Sequence, residues 1–154
     1  MRQRTLVISA LAAVGAAIAV AVPIAIIAIQ SSHELKFEYV KSGGLGGTNE
    51  RLVFDSATNV ITFEVKPGPI TNRQLSNTKV QELRHMIANS GFFTMDSVPP
   101  KAGPSDYFAY FLNVTMEGVT HSVSWVEDSA SSKQVPESLK NIVNEIEVAY
   151  ANAS

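Results

Sequence analysis

Cysteine is absent from the 154 residues, which excludes a disulfide framework, a thiolate nucleophile and any thiolate-bound metal. Histidine is scarce. His33, His85 and His121 stand apart, and none has the partner spacing that sets two ligands on one side of a metal. No Gly-x-Ser-x-Gly elbow is present. Asp106, Glu127 and Asp128 could be acid/base carboxylates, but nothing pairs them in sequence, and they sit at expected strand ends or in loops. No Lys/Arg cluster occurs either. Setting Arg2 and Arg4 aside leaves 10 basic residues against 14 acidic, a net charge of −4, which disfavours nucleic acid and anionic lipid surfaces as partners. The expectation is a chain without catalytic residues, metal or cofactor.

What the sequence does have begins with a long apolar run. Leu6 to Ile29 contains no charged residue, and about 20 helical residues cross a bilayer core of roughly 30 Å. Arg2 and Arg4 precede the run, and the first acidic residue, Glu34, follows it. The positive-inside bias then leaves the N-terminus in the cytoplasm and the rest of the chain outside. Residues 1–31 are thus expected to be a cytoplasmic stub and transmembrane anchor in the cytoplasmic membrane, and residues 32–154 one extracytoplasmic domain. The alternative is secretion after cleavage of a signal peptide. Against it stand the length of the run and its ending, Ile26-Ile27-Ala28-Ile29-Gln30, a poor cleavage context.

Along the outer domain, Leu35, Phe37 and Tyr39 alternate with Lys36 and Glu38, the period of a half-buried strand. Arg51 to Asp55 and Val60 to Val65 look like strands joined by a tight turn at Ser56–Asn59. Lys66-Pro67-Gly68-Pro69 marks a loop. Ser76 or Asn77 can cap a helix with the stripe Leu75 or Val80, Leu83, Met86 and Ile87, ended by Gly91. Phe92-Phe93 would then fold back onto the core. Tyr107 to Met116 carries aromatics on both faces, as a central strand does, and turns at Glu117-Gly118 into Val119–Val126. Pro136 opens a closing amphipathic helix with Leu139, Ile142, Val143, Ile146 and Tyr150 at helical spacing. The order β-β-β-α-β-β-α predicts an α+β fold: an antiparallel sheet of about four to five strands with two amphipathic helices on one face, preceded by one N-terminal transmembrane helix.

The densest local signal is Ser42-Gly43-Gly44-Leu45-Gly46-Gly47. A phosphate loop would need a helix after it and a Lys-Ser/Thr pair, whereas an alternating strand pattern follows here. Two readings stay open. The glycines form a bulge or hairpin tip with no further role, or they form a recognition loop with Leu45 as apolar tip, in which the glycines let the backbone approach a partner closely. Asn113-Val114-Thr115 and Asn152-Ala153-Ser154 are glycosylation sequons, used only where exported proteins are glycosylated.

Taken in order, these segments resemble the emfourin-like (protealysin inhibitor) family of small metalloprotease inhibitors. The likeness runs through Ser42–Gly47, Gly91-Phe92-Phe93, Asp106-Tyr107-Phe108-Ala109-Tyr110, His121-Ser122-Val123 and Pro136-Glu137-Ser138-Leu139, within residues 35 to 147. The chain departs from the family in its anchor, in Leu45 where an aromatic is usual, and in Lys66 to Asn72, which looks like an insertion. The resemblance implies a stoichiometric inhibitor of thermolysin-like zinc metalloproteases. Its protein-binding residues would be Ser42, Gly43, Gly44, Leu45, Gly46, Gly47, Asn49 and Arg51, with Asn49, Glu50 and Arg51 as supporting contacts of the Leu45 tip. The alternative is a non-inhibitory ectodomain that docks onto a membrane complex or cell-surface layer, where tethering raises local concentration.

Overall fold

The computed structural model describes residues 34–102 and 106–154. The expected anchor, Leu6 to Ile29, lies outside the described residues, as do Arg2, Arg4 and His33. Among the described residues no helix is long and apolar enough to cross a membrane.

Glu34–Ser154 forms one compact unit of α+β architecture. Its elements are β1 (Leu35–Gly43), β2 (Thr48–Asp55), β3 (Val60–Val65) and β4 (Ile70–Gln74), then α1 (Asn77–Asn89). A 3-10 turn (Phe92–Thr94) leads on to β5 (Phe108–Met116), β6 (Val119–Val126) and α2 (Glu137–Ala151). The six strands make a single sheet in the order β4-β3-β2-β1-β5-β6, antiparallel at every pairing. The expected count of about four to five strands is therefore corrected to six. The added strand is β4, in a stretch where only the Pro-Gly loop is visible in sequence. It is an edge strand without a buried residue, held to β3 by its backbone ladder and by a 2.7 Å hydrogen bond from Thr62 to Asn72.

The alternation in β1 does what its period requires. Leu35, Phe37 and Tyr39 point inward with Leu52 and Phe54 of β2, Ile61 of β3, Leu112 and Val114 of β5, and Val123 and Trp125 of β6. Val80, Leu83 and Ile87 of α1 and Leu139, Ile142 and Ile146 of α2 complete that core, so both helices cover the same face of the sheet. Lys79 of α1 joins the helices by reaching Glu145 of α2 at 2.8 Å. Phe92 is fully buried, as expected for a residue that turns back after the Gly91 stop.

Helix ends follow their local chemistry. The Ser76 hydroxyl accepts from the Lys79 amide at 3.2 Å, and Gly91 takes a left-handed φ of 75° after Ser90. Pro136 precedes the first turn of α2 as its N-cap, with an extended ψ, one residue earlier than the sequence suggests. At the other end of α2 the Arg73 guanidinium donates to the carbonyls of Tyr150 and Ala151, satisfying acceptors that a helix terminus leaves open. Glu117 and Gly118 both have positive φ, the backbone of a two-residue hairpin matched to strand twist.

Candidate functional site

The glycine-rich segment is the tip of the β1–β2 hairpin. Pairing runs down to Gly43 opposite Thr48, which leaves Gly44, Leu45, Gly46 and Gly47 as the turn. Gly47 closes it by donating to the Gly44 carbonyl at 3.0 Å. Gly43, Gly44 and Gly47 have φ values of 110°, 71° and 63°, a region that costs side-chain-bearing residues energy.

Two of these glycines are also required by close packing. A Cβ on Gly43 would lie 2.3 Å from the Tyr107 carbonyl oxygen, and one on Gly44 would lie 2.8 Å from the Phe108 ring. The Gly44 amide donates to that same Tyr107 carbonyl at 3.3 Å, and the Lys41 ammonium sits 5.0 Å from the centroid of the Phe108 ring. The base of the turn is thus clamped to the start of β5. Beyond the clamp, Leu45 is 97 % exposed, an apolar side chain held out on a fixed stem.

The remaining candidates separate by strand alternation. Ser42 lies opposite Asn49 in the ladder, and with Arg51 they face the side of the sheet away from the helices. Glu50 points to the helix side and pairs with Lys41 at 3.9 Å. Arg51 is already committed, at 2.6 Å from Glu38 and 3.6 Å from Glu64, and these two hold its charged form above the usual arginine range, Glu38 foremost. Ser42, Gly43, Gly44, Leu45, Gly46, Gly47 and Asn49 are therefore gathered at one end of the molecule, with Arg51 locking the stem below them.

Of the three candidate carboxylates, Glu127 and Asp128 line one concavity on the helix side of the sheet. Asp106 is exposed, Glu127 accepts from Ser129 at 2.7 Å, and Asp128 meets Lys140 at 2.5 Å. That contact holds the Asp128 carboxyl below its usual range. His121 contacts the Met95 carbonyl at 2.9 Å and meets the Phe92 ring edge-on; His85 is exposed. Among the described residues no group of metal-ligating side chains forms a site.

One concavity carries no motif in the sequence. It opens on the helix side of the sheet between β1, β5, β6 and α2, with a volume of about 330 Å³. Tyr110 stacks on Trp125 with centroids 5.3 Å apart, and Trp125 on Tyr39 at 6.5 Å. Only the aromatic content of β5 hinted at it, since its walls come from four separate elements.

Compared with known proteins, the chain matches no family model and no curated protein sequence.

Proposed function

We propose that this protein is a stoichiometric inhibitor of thermolysin-like zinc metalloproteases, resembling the emfourin-like family. It would be tethered by Leu6–Ile29 with residues 32–154 outside the membrane. The observation that carries this is Leu45: a bulky apolar side chain, almost wholly exposed, on a turn clamped at its base by Tyr107 and Phe108. Burying one leucine contributes about 1.5–3 kcal/mol. A pre-set loop keeps most of that gain, because little ordering entropy is lost on binding. The neighbouring glycines allow a partner's backbone to approach closely. Such a tip would occupy an apolar subsite and block the cleft without chemistry of its own.

The test is a titration of the full chain, in mild detergent, into a thermolysin-type protease while cleavage of a fluorogenic peptide is followed. The expected result is loss of activity at a one-to-one ratio with the chain intact afterwards. Leu45→Asp should weaken inhibition by at least about tenfold, equivalent to about 1.4 kcal/mol. Full activity at micromolar chain would sink the inhibitor reading and leave the hairpin as a docking element for a membrane complex or surface layer.

A further inference from the structure

The 330 Å³ cleft beside α2 has a charge and hydrogen-bond pattern of its own, independent of what the hairpin tip contacts. Its two lysines are occupied: Lys140 by Asp128 at 2.5 Å, and Lys41 by Glu50 at 3.9 Å and by the face of Phe108. Two carboxylates that line it, Glu127 and Glu147, have no cationic partner among the described residues. Glu127 accepts from the Ser129 hydroxyl and Glu147 from the Tyr39 hydroxyl at 3.2 Å. The Tyr110–Trp125 stack lines the same cleft, its rings within 10° of parallel, with Tyr110 half-buried. Trp125 is only 7 % exposed. The cleft therefore offers two carboxylates without a cationic partner and an aromatic surface.

We propose that this cleft binds an arginine side chain of a protein partner. A planar guanidinium can lie against an aromatic ring and donate to carboxylates on either side, which a compact ammonium does less well. A polypeptide source fits the surroundings as well. Lys41, on the cleft wall, is four residues before Leu45, which lies in the turn that follows the same strand, at most about 13 Å of chain away. A protein seated on the hairpin tip would thus reach the cleft.

Trp125 is the sole tryptophan, so its fluorescence reports occupancy directly. The full chain, in a non-aromatic detergent at low salt, would be titrated with N-acetyl-Gly-Arg-Gly-amide and with the citrulline peptide, its neutral isostere. The expected result is a saturable change with the arginine peptide alone, at least tenfold weaker in Glu127→Gln/Glu147→Gln and weaker again in high salt. Leu45→Asp should leave it unchanged, which separates this site from the inhibitor reading. The proposal is overturned by an equal response to citrulline, or by no saturable change up to about 10 mM arginine peptide, tenfold weaker than millimolar affinity. N-Propylguanidinium, which carries the same single charge but no peptide, binding as tightly as the peptide would also overturn it in favour of a site for a free guanidinium compound. Should the double variant misfold, the citrulline and salt comparisons on the native chain still decide.

Discussion

Gly43 and Gly46 sit three residues apart at one hairpin tip, the first ending β1 and the second in the turn, yet their backbones are under opposite constraints. Gly43 combines a φ of 110° with a Cβ position 2.3 Å from the Tyr107 carbonyl oxygen, a backbone atom that cannot rotate away. Gly46 has open space where its Cβ would be. Gly43→Ala is therefore expected to destabilise the domain by about 2–4 kcal/mol, strain and clash together, whereas Gly46→Ala should fall within about 0.5 kcal/mol of the parent. Urea unfolding followed by far-UV circular dichroism would check both, and equal losses would refute the clamp. The sequence shows where the glycines cluster but not which of them the fold requires. That depends on Tyr107 and Phe108, which reach the turn only once β5 has paired with β1.

Among the elements, those whose apolar residues repeat with a clear period are legible in the sequence. β1, β2, β6 and both helices owe their positions to stripes such as Leu35-Phe37-Tyr39 and Leu139-Ile142-Ile146, which end up in the core. β4 leaves no such trace. Its single apolar residue, Ile70, is 64 % exposed, and the strand exists because β3 offers a free ladder, a tertiary cause that no local pattern encodes. The arginine cleft was illegible for the same reason: Tyr39, Tyr110, Trp125 and Glu147 come from four elements and share no spacing. Helix α1 depends on a more local device. Ser76→Ala removes the acceptor of the Lys79 amide and should cost about 1 kcal/mol, read as a lowered thermal midpoint. Ser76→Asp, which restores an acceptor and favours the positive helix end, should recover it; a midpoint unchanged by the alanine would show that the cap is idle.

For the whole molecule, one buried hydroxyl governs behaviour in alkali. Burial, and then the charge of Glu147, push the Tyr39 phenol well above its usual range, so the folded state keeps a proton that the unfolded chain gives up above about pH 10. Stability from this group is complete below that pH. It is lost as pH rises further, at up to about 1.4 kcal/mol per pH unit. Tyr110 adds to the same trend, also mainly through burial. Tyr39→Phe should be less stable at neutral pH by about 1–2 kcal/mol through the lost bond to Glu147, yet decline more gently above pH 10. Parallel declines in parent and variant, measured by urea midpoints across the alkaline range, would remove Tyr39 from this role. The sheet order has a consequence for synthesis. β1 emerges first but stands near the middle of the finished sheet, flanked by β2 on one side and β5 on the other. β2, β3 and β4 can fold onto it one after another as they appear, each by a local turn. The far side of β1 must wait: Leu35 finds its neighbour only when Met116 arrives. Until then a nascent chain carries an open, apolar strand edge of the kind that recruits other chains. That interval is when a chaperone at the ribosome or translocon exit would matter most to its yield.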